Sequence, residues 1–481
     1  MNYSIGKLVN DIEYIIIPND KIETICLSVA IRVGSNDENE KTNGISHLLE
    51  HMLFKGNKLF KSKLDLYIAL DNIGAVYNAY TDKNITNFYA KCHYSNLKSL
   101  INIFSSLICE PYIEEEDLKT EKKIVIEEIN NSKEEAFDIL YNRFYKLLFK
   151  SHPISKRISG EPKNINNISR NDVISHLRQF YTANNMVISI AGKIEGDIKS
   201  ILENSSFAKA PQGDVHKFRD VITIDSNITS IDLVHRGFKQ IFLGICFPTK
   251  GLMDKDKYAI KLIDLILNGS MSSRLFLELR ERLGLVYSIM TDVSNFEEAG
   301  IYYLVTSFEP KTEKINQVLS SLFDEFNKLI NIKITLDELN RWKNYIKSAY
   351  VLELENTSEV CDYYSRQMLF FRQNILEFHE LLKNFESITI DDIQRVAKEL
   401  LNFKKMKLIL LGDFSEKSKI GVEVFTTISK SFNNNEKKMN NNIMNGGNMI
   451  INNNIPKESN LCINILERDI KNPFKKLVRS L

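Results

Sequence analysis

The sequence predicts an α+β fold built twice, as two similar domains that each carry a sheet with helices packed on it. Three observations point there. Strand-like and helix-like segments alternate through residues 1–205. The pattern returns after a polar, weakly patterned stretch near 205–235, which includes "KAPQGD" and reads as a linker. Local sequences also recur in one order. "GAVYNAYT" (74–81) matches "GLVYSIMT" (284–291), "SLINIFSSLI" (99–108) matches "INQVLSSLFDEF" (315–326), and "EEEDLKTEKKIVIEEI" (114–129) matches "ITLDELNRWKNYIKSAYV" (334–351). Three matches in sequence order argue for a duplicated domain. They set the domains at 1–210 and 225–430, with 431–481 as a separate tail.

The elements follow in order. "EYIII" reads as a strand almost at the start, and the N-terminal stretch has neither a signal-peptide nor an Arg-rich transit-peptide pattern, so a cytoplasmic location is expected. "ETICLSVAIRVGS" (23–35) is a β-rich run ended by Gly34. A helix over "ISHLLEHMLF" comes next, then the strand-rich "GAVYNAYTDKNITNFYAKC" (74–92). Amphipathic helices are expected near 95–109 and 114–132, and "NNMVISIAGKI" (184–194) as the last strand of this half. In the tail, half of residues 433–454 are Asn. Such a stretch has too little apolar surface to offset its ordering entropy, so disorder is expected, with a short helix at most in "CINILERDIKNPFKKLVRSL".

Composition excludes several classes. Hydrophobic residues make up 43% and charged residues 26%, as in an ordinary globular protein. The net charge of +1 gives no footprint for nucleic acid or a membrane surface. No apolar run is long enough to span a bilayer. The six cysteines are scattered without a Cys-x-x-Cys pair, which fits buried thiols in a reducing compartment.

The chemistry sits in "GISHLLEHMLFKGN" (44–57). On a helix, Ile45, Leu48, Leu49, Met52 and Leu53 share the core side, while His47, Glu50, His51 and Phe54 share the other. His47 and His51 are i,i+4 neighbours whose imidazoles can converge on one ion, with Glu50 on the same face to act on water. The bland reading is a solvated face, but His-x-x-Glu-His is a named metal motif. Catalytic zinc takes three protein ligands. On the 114–129 helix, Leu118, Val125 and Ile129 form the apolar stripe; Glu121 and Glu128 fall inside the buried arc, and Glu127 falls outside it. The wheel leaves open which of Glu121 and Glu128 is the third ligand, or whether both simply snorkel at a helix edge.

These residues resemble the pitrilysin, insulinase and mitochondrial-processing-peptidase family of inverted zinc metallopeptidases, whose pattern is His-x-x-Glu-His, then 76 residues, then Glu. The resemblance implies His47, His51 and Glu128 as ligands of one Zn²⁺ per chain, Glu50 as general base, and Glu121 as a partner behind the ligands. "NAYTDKNITNFY" (78–89) resembles the family's substrate-holding edge strand, which implies peptide contacts at Asn78, Ala79 and Thr81; Asn84 and Phe88 depart from its commonest form. "SSRLFLELRERLGLVYSI" (272–289) resembles the second-domain motif that brings an Arg and a Tyr to the active site, here Arg280 and Tyr287. The implied fold is a clamshell of two domains, each with a mainly antiparallel sheet, closing on a peptide held extended between them. The second half is implied to be inert, because its motif positions fall near Ile260, Ile263, Asp264 and Ala349.

The expected function is therefore a zinc metalloendopeptidase acting on unfolded peptides or presequence-like segments. A homodimer, or a heterodimer with a related subunit, is the expected assembly. The rivals are a non-catalytic structural or partner subunit of the same fold, and a catalytic subunit that needs a second chain. The intact set His47, Glu50, His51 and Glu128 argues against the non-catalytic class.

Overall fold

The computed structural model describes residues 2–214, 222, 224, 229–372, 374–413 and 461–466. Its strands are β1 Ser4–Lys7, β2 Glu13–Pro18, β3 Thr24–Ile31, β4 Val76–Thr81, β5 Thr86–His93, β6 Met186–Gly192, β7 Thr229–His235, β8 Ile241–Thr249, β9 Ile289–Asn295, β10 Gly300–Phe308, β11 Lys407–Gly412 and β12 Leu461–Leu466. The helices begin with α1 Ile45–Leu53, α2 Lys63–Asn72, α3 Leu97–Cys109, α4 Glu115–Ser132, α5 Ala136–Phe149, α6 Pro162–Asn167 and α7 Arg170–Phe180. They continue with α8 Ile198–Glu203, α9 Lys257–Asn268, α10 Thr312–Asn331, α11 Leu336–Glu353, α12 Thr357–Phe371, α13 Phe378–Glu386 and α14 Ile390–Leu400. No helix among the described residues is long and apolar enough to cross a membrane.

Two six-stranded sheets result, ordered β1-β2-β6-β3-β5-β4 and β12-β7-β11-β8-β10-β9. Apart from β1 and β12, the two orders are the same when read along the chain, and each contains one parallel pair (β2 with β6, β7 with β11) among antiparallel ones. The repeated sequences thus mark repeated topology. β12 pairs in parallel with β7, so a piece of the stretch expected to be unstructured or helical is a strand. Its two β-branched residues, Ile463 and Ile465, suit a strand. The rest of the Asn-rich tail lies outside the described residues.

The chain divides over these residues into two compact units. The first draws on Met1–Glu134, Ser151–Phe218 and Tyr345–Lys383, and the second on Glu135–Lys150, Arg219–Asn344 and Asn384–Leu481. Helix α5 therefore serves the second unit and α12 the first, an exchange that a division along the chain does not show. In the first unit, β3 and β6 are buried along nearly their whole length, hence their near-continuous apolar sequences. Register splits this sheet into two faces. Leu27, Ala90 and Tyr77 share one face with Val29, Phe88 and Ala79. Ser28, Tyr89 and Asn78 share the other with Ala30, Asn87 and Tyr80. α1 packs on the first face, where Phe54 at its end meets Tyr77 and Phe88. α12 covers the second, with Ser365 Oγ donating to Ser28 Oγ at 3.1 Å. In the second unit, α5 packs on β8 and β11, and the missing side chain at Gly244 admits the Phe144 ring. The cysteines with described side chains are all free thiols: Cys26, Cys92, Cys246 and Cys361 are buried and Cys109 is half-buried.

Candidate functional site

Helix α1 forms over the motif as its periodicity requires. Ile45, Leu48, Leu49, Met52 and Leu53 are buried in the first unit's core. Gly44, immediately before the helix, has φ 98°, a left-handed conformation natural to glycine. A side chain there would also collide with Ser159 O and Gly160. Glycine cannot cap a helix with its own side chain, and the cap comes from Glu38. Its carboxylate accepts from Gly44 N–H (2.7 Å), Ser46 N–H (2.9 Å) and Asn43 Nδ2 (2.9 Å). Burial pushes the Glu38 carboxyl up to about 7, against the lowering effect of those bonds. Nothing in the sequence reading singled out Glu38. The available signal was an uncapped helix start in need of an acceptor.

On the opposite face of α1, the His47 and His51 rings lie edge-on with centroids 4.7 Å apart. Helix α4 brings Glu128 to them, with Oε1 3.8 Å from His47 Nε2 and Oε2 3.8 Å from His51 Nε2. These gaps are too long for hydrogen bonds. They are close to the separation of roughly 3.4 Å left between two donors that share one ion at about 2.1 Å in tetrahedral geometry. Among the described residues, His47, His51 and Glu128 form a group with one donor atom apiece within 4.8 Å of one another. The donor set fits zinc. His47 Nδ1 is buried without a hydrogen-bond partner, and burial, reinforced by His51, lowers this imidazole to about 4, so it is neutral and able to ligate near pH 7.

Glu121 lies behind the ligands. Its Oε2 lies 3.0 Å from His51 Nδ1, where it accepts when that nitrogen carries the proton, and its Oε1 pairs with Lys55. With the proton on Nδ1, the neutral His51 ring keeps its Nε2 lone pair for an ion. Burial opposes ionisation of Glu121, but His51 and Lys55 outweigh it and hold the carboxyl below its usual range. Burial likewise disfavours the His51 cation, yet Glu121 and the nearby acids raise its pKa.

Glu128 differs from the expectation of a buried carboxylate. Its side chain is 52% exposed, whereas that of Glu121 is 4% exposed. Seven residues at about 100° each carry Glu128 some 20° further from the centre of the apolar stripe. The carboxylate therefore emerges beside the two imidazoles instead of beneath them. Glu127 is exposed.

Glu50, between the histidines, is tied to β4: its Oε2 accepts from Thr81 Oγ1 at 2.6 Å. Burial raises the Glu50 carboxyl, and the Thr81 bond and His51 restrain the rise. β4 is a sheet edge. Asn78 is exposed and its Oδ1 accepts from Ala79 N–H (2.9 Å), a local bond on that edge. The Thr81 contact with Glu50 was not foreseen, since it joins residues thirty-one apart through tertiary packing.

Arg280 and Tyr287 belong to the second unit. Arg280 lies in a π-helical turn, Phe276–Arg282, with its guanidinium 4.8 Å from the Phe276 ring centre and 5.3 Å from that of Tyr287. Tyr287 is 79% exposed in the bend before β9. Its repeat mate Tyr77 instead packs its ring against Phe54 and Tyr67.

Two nitrogen donors, one carboxylate and a second carboxylate alongside make a candidate mononuclear metal centre on a duplicated α+β fold. A family model described as insulinase (peptidase family M16) matches residues 14–161, and one described as the peptidase M16 inactive domain matches residues 167–346. The chain is 26% identical over 402 residues to an uncharacterized zinc protease of Rickettsia felis, which covers 83% of this chain and 95% of that relative. It is 24% identical over 406 residues to the mitochondrial-processing peptidase subunit beta of Bos taurus, covering 82% of this chain and 81% of that one. In fold it resembles the crystal structure of a protease from Helicobacter pylori, with a TM-score of 0.77 at 20% identity over 85% of this chain and 99% of that one. The chain belongs to peptidase family M16.

Proposed function

We propose that this protein is a zinc-dependent endopeptidase that cuts extended peptides. The observation that carries this reading is the convergence of His47, His51 and Glu128, with Glu50 beside them and held by Thr81. His47, His51 and Glu128 would hold the ion, and Glu121 would keep His51 oriented through Nδ1. Zinc, when bound, supplies Lewis-acid polarisation of water and of the peptide carbonyl. Glu50 takes a proton from the attacking water and returns it to the departing amine; its burial, which raises the carboxyl, suits a group that must both accept and give a proton. The β4 edge, at Asn78, Ala79 and Thr81, offers main-chain groups to a peptide in extended form. Such pairing reads backbone and not sequence, which favours unfolded peptides and presequence-like segments over folded proteins. Arg280 and Tyr287 would be donors to the substrate carbonyl; the exposed Tyr287 hydroxyl is available for such a bond.

The test is metal analysis of the purified chain together with digestion of an unbiased peptide library, with Glu50→Gln as the control. Cleavage by zinc-loaded wild type and none by the control supports the reading. A zinc-loaded wild type that cleaves nothing overturns it for the chain alone. The bovine relative is named a subunit. Repeating the digest after co-expression with a related chain therefore separates a missing partner from a missing activity.

A further inference from the structure

Strand β4 is gripped from both faces of its sheet. On the α1 face, Thr81 donates to Glu50. On the other face, Tyr80 enters a closed polar network with α12. The Tyr80 hydroxyl donates to Asp362 Oδ1 at 2.5 Å and accepts from Arg366 Nη2 at 2.9 Å. Arg366 Nε donates to Asp362 Oδ2 at 2.9 Å, and Asn87 Nδ2 on the neighbouring strand donates to Asp362 Oδ1 at 3.2 Å. Asn87 is fixed in turn, because its Oδ1 accepts from Ser28 Oγ at 2.8 Å. All these residues belong to the first unit, yet Asp362 stands 282 positions along the chain from Tyr80.

An edge strand has neighbours on one side only, so it is the strand of a sheet most prone to fray. β4 has little apolar cover, with no fully buried residue along Val76–Thr81. A hydroxyl held by a carboxylate and a guanidinium is a strong charge-assisted tether. We infer that Asp362 and Arg366 are positioning residues that clamp β4 through Tyr80, keeping its outer edge straight for an incoming peptide. This inference rests on the reading of β4 as the peptide-receiving edge. Neither residue touches the candidate ligands. The pair acts by lowering the ordering that the edge must undergo when a peptide pairs with it.

The test uses the full chain loaded with zinc and two variants, Tyr80→Phe, which removes one hydroxyl, and Asp362→Leu. Hydrogen exchange over residues 74–82 and steady-state hydrolysis of a fluorogenic octapeptide are measured at matched zinc content. Both variants should exchange this segment at least about threefold faster, with α1 unchanged. KM should rise about three- to tenfold with kcat within about twofold, the pattern of lost binding common to ground and transition state. Partial unfolding would lower apparent kcat and leave KM alone. The double variant should be no worse than Asp362→Leu, because both remove one interaction. Unchanged exchange in both variants, an unchanged KM, or additive losses in the double variant would overturn the clamp. If wild type cleaves no peptide, the peptidase reading fails separately, and exchange alone then judges the tether.

Discussion

Glu38 offers the sharpest test of how the candidate metal helix is held. The perturbation is Glu38→Ala. It removes the acceptor of two backbone N–H groups at the start of α1 and of one amide hydrogen on Asn43. Asn43 Nδ2 keeps its other hydrogen on Arg157 O at 2.9 Å, so that amide stays anchored and the main loss is the two helix donors. Glu38 is only 4% exposed, so water does not simply replace it. A buried donor left without a partner costs about 1–3 kcal/mol. Two such donors, less the relief of removing a buried charge, give a net loss of about 3 kcal/mol. For a unit of this size that is a fall of roughly 6–12 °C in melting temperature. His47 follows Ser46 directly, so a frayed first turn should also loosen the metal. Partners that orient ligands from outside commonly cost about 10- to 100-fold in affinity when removed.

Glu38→Gln separates the cap from the charge. It keeps one acceptor oxygen and should lose about half as much stability at pH 7.5. The sign with pH follows from the raised carboxyl. Burial holds the folded Glu38 carboxyl up at about 7, above the ordinary carboxylate range, so the folded state binds the extra proton between the two. Wild type therefore gains on Glu38→Gln as pH falls from 8 to 5, by an amount on the order of 3 kcal/mol. Lys83, lowered to about 8 by burial and close enough to feel Glu38, is present in both proteins and cancels to first order. Calorimetric melting across that pH range, with metal analysis after dialysis, reads all of this. A Glu38→Ala protein that melts within about a degree of wild type and retains its zinc would refute the capping role.

Four further outcomes follow from the site. Glu50→Gln should keep zinc and lose about 10²- to 10⁴-fold in turnover, because the amide cannot carry the proton; normal turnover in the zinc-replete variant would remove Glu50 from the mechanism. Glu128→Gln should weaken zinc binding far more than Glu127→Gln in a metal titration, since only Glu128 lies 3.8 Å from both ring nitrogens. Tyr287→Phe should lower kcat by an amount on the order of 3 kcal/mol in barrier if its hydroxyl meets developing charge, and a silent substitution in steady-state kinetics would show that it does not. Chelation should lower the melting of the first unit alone, since a ligand stabilises only the unit that binds it; equal shifts in both transitions would count against a site confined to the first unit.

Parts of this were legible in the chain and parts were not, for reasons that differ residue by residue. The faces of α1 could be read because nine residues of strict periodicity leave little freedom. The family resemblance points to Glu128 and the wheel places it in the buried arc, yet it is half exposed, because a helical wheel gives azimuth and not where the neighbouring helix ends. The repeat was visible, and the matching strand orders of the two sheets bear it out. Even so, the octet match pairs Tyr287 with Tyr77, which is in β4, whereas Tyr287 lies in the bend before β9. Glu38, Asp362 and Arg366 left no pattern, since each acts through a tertiary contact with an element whose position the local sequence does not encode. The destinations of α5 and α12 were hidden for a related reason. An amphipathic face says that a helix must be buried, not which sheet will bury it.

The two halves share a topology and differ at the positions of the motif. Helices α4 and α11 are both 18 residues long, and matched end to end they put Trp342 in the place of Glu121 and Ala349 in the place of Glu128. On α9, Ile260, Ile263 and Asp264 stand where α1 has His47, Glu50 and His51. Three of those places hold packed apolar side chains: Trp342 is among the largest fully buried residues, and Ile260 and Ile263 are buried too. Asp264, the one acid left, is paired with Lys261 at 3.0 Å. The first unit instead keeps a buried carboxylate at Glu121, another at Glu38, and an unpartnered buried nitrogen on His47. Each is unfavourable for folding unless something compensates it. Lys55 and the start of α1 compensate the two carboxylates, and a bound cation would complete the histidine pair. Replacing Ile260 and Asp264 by histidines would therefore not create a second site. The third donor and the acid behind it are both missing, and Trp342 occupies the place where that acid would have to stand.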